Sequence, residues 1–181
     1  MLLTLPNAVT FARLCAVPAT MWLILRHDLH AAFAVFVAAG LSDAVDGWLA
    51  RRRGGGNAVG AVLDPVADKA LLVSLYVTLA AIGVLPDALA ILVVFRDAVI
   101  VGGVLVLAVL GHAVRIRPFL VSKVNTAVQI VLVAVALLLD GFGLHAPMLM
   151  TALVWTVAAT TLASGAAYVW WAARRPVPEA G

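Results

Sequence analysis

Six apolar runs follow one another along the chain, separated by short connections that contain glycine, proline or charged residues. Each run has close to the roughly 20 residues that a helix needs to cross the hydrocarbon core of a bilayer. The pattern therefore predicts an all-α integral membrane protein with six transmembrane helices, at residues 9–25, 31–50, 61–82, 88–110, 120–139 and 148–172.

Basic residues mark one side of this predicted bundle. Three arginines at 51–53 follow the second run, Arg115, Arg117 and Lys123 surround the fourth connection, and Arg174 and Arg175 follow the sixth run. The connections at 83–87 and 140–147 contain neither Lys nor Arg. The positive-inside rule then predicts that both termini are cytoplasmic. The first run has no basic leader and no small-residue cleavage site after it, so we expect a retained helix rather than a cleaved signal.

Composition supports a membrane protein and excludes other classes. Hydrophobic residues make up 65% of the chain and charged residues 12%, with a mean hydropathy of +1.12, which is too apolar for an ordinary soluble domain. The net charge is +3, but the basic residues lie at the ends of the runs rather than along one face, which argues against nucleic-acid binding. Cys15 is the single cysteine, so a disulfide framework is excluded. We expect one domain at 1–175 and a disordered tail at 176–181.

Four aspartates lie in the second and third runs, close to the arginine- and glycine-rich connection between them. An aspartate at the centre of a membrane helix costs about 2.5 to 3.5 kcal/mol, so four in one hairpin require compensation. Asp43 and Asp46 share one helix face, and Asp64 and Asp68 share another, because residues three or four apart lie on the same side of a helix. Counted at about 1.5 Å per residue, Asp43 and Asp68 both lie about 12 Å from the cytoplasmic ends. The hairpin can therefore bring all four carboxylates to one level.

Carboxylates at such close quarters need cations between them, and hard oxygen ligands suit Mg²⁺ or Mn²⁺. Two divalent cations form the arrangement that clamps phosphate in in-line displacements. Gly47 and Gly60 lie on the same faces and would let a ligand approach the backbone, although helix packing explains them equally well. Arg51 continues the first face and could pair with a phosphate, or could be a topology signal like its neighbours. Intramembrane carboxylates also occur in proton and cation pathways.

These residues form one continuous series with fixed spacing: Asp43-x-x-Asp46-Gly47-x-x-Ala50-Arg51, eight intervening residues, and Gly60-x-x-x-Asp64-x-x-x-Asp68. The series resembles the signature of the CDP-alcohol phosphatidyltransferase family, with every position filled. The opening Pro6-Asn7-Ala8-Val9-Thr10 is also similar to that family. The version Asp64-Pro65-x-Ala67-Asp68-Lys69 resembles its cardiolipin synthase and phosphatidylglycerophosphate synthase branches.

The resemblance implies a reaction and roles for named residues. CDP-diacylglycerol would bind with its pyrophosphate on two divalent cations, an acceptor hydroxyl would attack the phosphorus on the lipid side, and CMP would leave. Asp43, Asp46 and Asp64 would hold the first cation and Asp43, Asp64 and Asp68 the second, with Asp68 also the general base. Contacts to the CDP-lipid would come from Gly47, Arg51, Gly60, Pro6, Asn7 and Asn57. Homodimers are also implied. We expect a bacterial-type inner membrane, and the positive-inside rule puts the active site on the cytoplasmic face.

The acceptor site is predicted on the cytoplasmic side, around the connection between the fourth and fifth runs. Arg115, Arg117 and Lys123 could hold the phosphate of glycerol 3-phosphate or phosphatidylglycerol, and a polar line of Ser122, Asn125 and Gln129 continues into the fifth helix. Topology signals and a polar packing seam explain the same residues equally well.

The fourth run contains two charged residues whose role the sequence leaves open. Arg96 and Asp97 either neutralise neighbouring charge or face the acceptor cavity. The stretch 117–129 and Phe95-Arg96-Asp97 resemble the cardiolipin synthases, which favours phosphatidylglycerol as the acceptor and leaves glycerol 3-phosphate as the alternative. Two other classes stay open from the carboxylates alone: a small ion-coupled transporter and a structural membrane subunit.

Overall fold

The computed structural model describes the backbone at residues 5–53, 58–109 and 120–173, and the side chains at 15–42, 69–103 and 120–170. Every regular element in these ranges is an α-helix, which confirms the predicted all-α class for this part of the chain. The helices coincide with the predicted apolar runs to within a few residues at each end. They are α1 (Leu5–Leu25), α2 (Leu29–Arg53), α3 (Ala58–Ala81), α4 (Asp87–Val109), α5 (Leu120–Gly141) and α6 (Pro147–Ala173).

Two predictions about irregular segments lie outside the described residues. These are the glycine-rich connection at 54–57 and the tail at 176–181. The division into one domain and a tail therefore stays a prediction.

The helix ends have local causes. The Asp28 side chain accepts a hydrogen bond from the Ala31 backbone N–H at 3.2 Å, which caps the first turn of α2. At the end of α3, Gly83 has a φ of +79°, a left-handed conformation that glycine adopts without a steric penalty. The Val84 N–H then donates to the Leu79 carbonyl at 2.9 Å, which closes the helix terminus.

The packing of the helices follows a simple order. Helix α1 contacts α2 and α3, α5 contacts α2, α3 and α6, and α4 contacts α3 and α6. The core between them contains fully buried side chains from most of these helices, among them Ile24, Tyr76, Leu79, Leu132 and Leu137. Helices α2 and α3, which contain the two aspartate pairs, therefore have α1 and α5 as common neighbours.

Two helices in the described ranges are long and apolar enough to cross a membrane, at Leu120–Gly141 and Pro147–Trp170. Shorter apolar segments lie at Cys15–Leu25, Leu29–Ser42 and Lys69–Ala81. Large apolar side chains also cover the outside of the bundle, including Ile91, Phe95, Met148 and Trp155, each more than 60% exposed. An apolar exterior of this kind is typical of a surface that contacts lipid.

Candidate functional site

The predicted site starts from two pairs of aspartates on neighbouring parts of the chain. Asp43 and Asp46 lie in about the last three turns of α2, and Asp64 and Asp68 in about the first three turns of α3. Both pairs are thus near the helix ends that the 54–57 connection joins. The side chains of all four lie outside the described residues, so their role as metal ligands stays a prediction.

The other predicted site residues divide in the same way. Pro6 and Asn7 lie on α1, Gly47 and Arg51 on α2, and Gly60 on α3. For all five the structure describes the backbone only. Asn57, Arg115 and Arg117 lie outside the described residues altogether. Lys123 is described: it lies in the first turn of α5 and is exposed.

A charged cluster formed by Lys69, Arg96 and Asp97 joins α3 to α4. Asp97 Oδ1 accepts hydrogen bonds from Lys69 Nζ and from Arg96 Nη1, both at 2.6 Å. The side chains of Arg96 and Asp97 are 3% and 7% exposed, whereas that of Lys69 is 35% exposed. Of the two alternatives for Arg96 and Asp97, charge neutralisation is therefore observed. Asp97 neutralises Arg96 on its own helix and also binds Lys69 of α3.

Arg96 extends this charged cluster to two further helices. Its Nη2 donates to Ser122 Oγ of α5 at 2.7 Å and to Ser164 Oγ of α6. Within the described part of the chain, Arg96 Nε and Asp97 Oδ2 are buried without a hydrogen-bond partner. The Arg96 guanidinium thus links α4, α5 and α6, while its Nε and one oxygen of Asp97 stay unpaired among the described residues.

A polar seam continues from the charged cluster along α5, which packs against α6 and α3; its members are Ser122, Asn125, Gln129, Thr160, Thr161 and Ser164. The hydroxyls of Thr160 and Thr161 donate to Asn125 Oδ1 at 2.8 and 2.9 Å. Asn125 and Gln129 are fully buried. The Tyr76 hydroxyl of α3 donates to the Gln129 backbone carbonyl at 3.3 Å. Of the polar line predicted on the fifth helix, Asn125 and Gln129 are therefore buried in helix contacts, and Ser122 is half-buried.

The seam is incompletely hydrogen-bonded. Among the described residues, Asn125 Nδ2 and both polar side-chain atoms of Gln129 are buried without a partner. A buried polar group left without a partner costs about 1 to 3 kcal/mol. The seam thus has spare hydrogen-bonding capacity at two successive turns of α5.

The sequence pattern does not single out four members of the charged cluster and the seam. Lys69 belongs to the Asp64–Lys69 motif and is the one basic residue of the third apolar run, but neither fact indicates its partner. The three α6 residues, Thr160, Thr161 and Ser164, have the spacing that would place them on one helix face. That spacing was the available signal, and it is weak because Ser and Thr in helices often bond to their own backbone.

The spacing of the aspartates on α2 and α3 can now be set beside known proteins. The sequence profile of the family described as CDP-alcohol phosphatidyltransferase matches residues 3–167. The chain belongs to the CDP-alcohol phosphatidyltransferase family. The matched span includes both aspartate pairs, the charged cluster and the whole polar seam.

Curated relatives within this phosphatidyltransferase family have two kinds of name. The chain is 36% identical over 184 residues to CDP-diacylglycerol–glycerol-3-phosphate 3-phosphatidyltransferase 1, chloroplastic, of Oryza sativa subsp. japonica, covering 92% of the chain and 56% of the relative. It is 34% identical over 179 residues to cardiolipin synthase (CMP-forming) of Homo sapiens, covering 90% and 59%. The Streptomyces coelicolor cardiolipin synthase (CMP-forming) is 38% identical over 104 residues, covering 54% and 48%. The chain thus spans about half to three fifths of these relatives' lengths.

Proposed function

We propose that this chain is an integral membrane enzyme that transfers a phosphatidyl group from CDP-diacylglycerol to an alcohol acceptor and releases CMP. The observation that carries the proposal is the complete series from Asp43 to Asp68, which lies within the family match at 3–167. The names of the curated relatives describe transferases of this kind. Family membership favours this proposal over an ion-coupled transporter or a structural subunit.

The proposed topology has six membrane-spanning helices with both termini in the cytoplasm. Its support is the length and apolar character of α5 and α6, together with the Lys and Arg residues that follow the second, fourth and sixth apolar runs. In this topology the 54–57 connection is cytoplasmic, so the aspartate pairs face the compartment that contains soluble nucleotides. We propose a cell inner membrane of bacterial type, and a homodimer, on the family resemblance alone.

Two divalent cations, Mg²⁺ or Mn²⁺, fit the residues of this chain. The donor set consists of four carboxylates, which are the hard oxygen ligands that these ions prefer. Their helices, α2 and α3, have α1 and α5 as common neighbours. Asp43, Asp46 and Asp64 would hold one ion, and Asp43, Asp64 and Asp68 the other. When bound, such ions neutralise the negative charge of the diphosphate.

The chain's own residues then perform orientation and proton transfer. Arg51 pairs with a phosphate of the donor, and Gly47 and Gly60 leave room for it next to the backbone. Asp68 accepts the proton of the acceptor hydroxyl. The hydroxyl oxygen bonds to the phosphorus on the lipid side, and the bond from that phosphorus to the bridging oxygen breaks. CMP leaves with the electron pair of that bond.

The base role of Asp68 has a direct test. Asp68→Asn keeps the size of the side chain but removes the proton acceptor, so we expect folded protein that binds CDP-diacylglycerol and transfers nothing. Binding is measured with labelled CDP-diacylglycerol and transfer by CMP release. Normal CMP release from this variant would remove Asp68 from the base role.

The proposed acceptor is phosphatidylglycerol, with cardiolipin as the product, and glycerol 3-phosphate is the alternative. The similarity of 117–129 and of Phe95-Arg96-Asp97 to cardiolipin synthases favours phosphatidylglycerol. Glycerol 3-phosphate stays the alternative because some relatives are named as cardiolipin synthases and others as glycerol-3-phosphate phosphatidyltransferases. Arg115, Arg117 and Lys123 are the proposed contacts to the acceptor phosphate.

The experiment that identifies the acceptor supplies labelled CDP-diacylglycerol and Mg²⁺ or Mn²⁺ to the purified protein. Phosphatidylglycerol, glycerol 3-phosphate, inositol phosphate and serine are offered in parallel reactions, and the labelled product is identified by chromatography. Labelled cardiolipin supports the proposal, and labelled phosphatidylglycerophosphate selects the alternative. A product from inositol phosphate or serine, or no product at all, would contradict both.

A further inference from the structure

Lys69 is accessible on the side of α3 that faces the bundle. Residues 69, 72 and 76 follow at helical spacing and share one face. Leu72 is 5% exposed and Tyr76 is fully buried, so this face packs against other helices. Lys69, one residue after Asp68 in the chain, is the accessible residue of this face, with its side chain 35% exposed.

The charged cluster contains one more cation than anion. Lys69 and Arg96 both bind the same oxygen of Asp97, so the cluster has a formal net charge of +1. Arg96 is fixed by Ser122 and Ser164, and its guanidinium is buried. An ammonium has three N–H donors, and among the described residues Lys69 uses one of them. Lys69 is the exposed member of the cluster, so the excess positive charge and the two remaining N–H donors of its ammonium are available to a ligand.

We propose that the Lys69 ammonium binds the phosphate of the acceptor, and that Asp97 and Arg96 are positioning residues that hold it there. The proposal rests on the proposed function and adds a residue to its acceptor site. The ligand class is a glycerol phosphate ester, which glycerol 3-phosphate and the headgroup of phosphatidylglycerol have in common. A charge-assisted contact of this kind is the strong type of phosphate recognition.

The direction of the cluster favours the acceptor over the donor. Two of the proposed contacts to the CDP-lipid, Gly47 and Arg51, lie on α2, and Gly60 lies near the start of α3. Lys69 is instead tied to Asp97 on α4, and through Arg96 to α5 and α6. The ammonium is therefore held on the side of α3 that contacts α4, next to the polar seam, and α2 has no contact with α4 among the described residues.

The test compares Lys69→Gln and Lys69→Arg with the wild-type full chain. The matched control is Arg26→Gln, since Arg26 is an exposed cation at the opposite end of the bundle, stacked 5.0 Å from the Trp22 ring centroid. KM is measured separately for CDP-diacylglycerol and for the acceptor found active. Losing a hydrogen bond to a charged group corresponds to about 10- to 100-fold in affinity.

We expect Lys69→Gln to raise the acceptor KM by about this factor and to leave the CDP-diacylglycerol KM within about threefold. Lys69→Arg restores part of the affinity because it keeps the positive charge. Arg26→Gln changes neither constant. A rise confined to the CDP-diacylglycerol KM would assign Lys69 to the donor diphosphate and overturn the proposal. Unchanged constants with a lower unfolding temperature would reduce Lys69 to a structural ion pair.

A second readout needs no catalysis. Glycerol 3-phosphate should raise the unfolding temperature of the wild-type protein, since a ligand that binds only the folded state stabilises it. Glycerol at the same concentration lacks the phosphate and should have no such effect, and Lys69→Gln should abolish the difference between the two. Stabilisation that persists in Lys69→Gln, or none in the wild type, contradicts the site. Wild-type protein that releases no CMP contradicts the proposed function separately.

Discussion

Replacing Asp97 by Asn should destabilise the bundle strongly, because Asp97 is the carboxylate of the charged cluster. The change leaves Arg96 buried, with its side chain 3% exposed and without a counter-charge at Nη1. Removing one partner of a buried ion pair costs about 3 to 5 kcal/mol. Lys69 adds little to this figure because its side chain is 35% exposed and can be hydrated. For a chain of this size, the expected fall in unfolding temperature is on the order of 10 °C.

The assay is thermal unfolding of the purified protein in detergent, with Asp140→Asn as the matched control. Asp140 is exposed at the end of α5, so its loss of charge should change the unfolding temperature by no more than about 1 °C. The double variant Asp97→Asn with Arg96→Met removes the buried uncompensated cation and should be more stable than Asp97→Asn alone. Equal unfolding temperatures for Asp97→Asn and Asp140→Asn would show that the charge of Asp97 does not stabilise buried Arg96.

Two further contrasts use the same unfolding assay. Gly141→Ala should cost about 1 to 3 kcal/mol, because its new Cβ would lie 3.1 Å from the backbone carbonyl carbon of Leu29. Gly40→Ala should be neutral or stabilising, because a Cβ there meets nothing within 4 Å. A greater loss of stability for Gly40→Ala than for Gly141→Ala would contradict the packing of α5 on α2. Asn125→Leu should cost about 0.6 to 1.7 kcal/mol, because it removes the acceptor of two α6 hydroxyls. Gln129→Leu should be neutral or stabilising since its side-chain amide is buried without a partner in the described part of the chain. A larger loss than that of Asn125→Leu would contradict this expectation and show that the amide has a partner in the native protein.

The positions of the helices could be predicted because each apolar run is close to the length of a membrane span. The run at 120–139 corresponds to α5 at Leu120–Gly141, and the run at 148–172 to α6 at Pro147–Ala173. The observed helix ends differ from the ends of the apolar runs where local hydrogen bonds determine them. Asp28 caps the start of α2, so this helix begins at Leu29 rather than at residue 31. Such caps depend on one side chain and do not appear in a hydropathy pattern.

The charged groups of the candidate site could be found from the sequence, but their partners could not. A charge inside an apolar run is conspicuous, and this marks Arg96 and Asp97 as candidates. Nothing in the sequence related Asp97 to Lys69, which lies 28 residues away on another helix. The hydroxyls of α6 were missed because serine and threonine are common in membrane helices and bond to neighbouring carbonyls there. Contacts of this kind are set by how the helices pack together.

The most direct measurement of the central claim is CMP release from CDP-diacylglycerol by the purified chain in lipid nanodiscs. Reactions contain phosphatidylglycerol, glycerol 3-phosphate or no acceptor, each with Mg²⁺, Mn²⁺ or excess EDTA, and Asp64→Asn is measured beside the wild type. We expect CMP release only when a divalent cation and one of the two acceptors are both present, and none from Asp64→Asn. Release that persists in EDTA, or no release under any of these conditions, would contradict the proposed function.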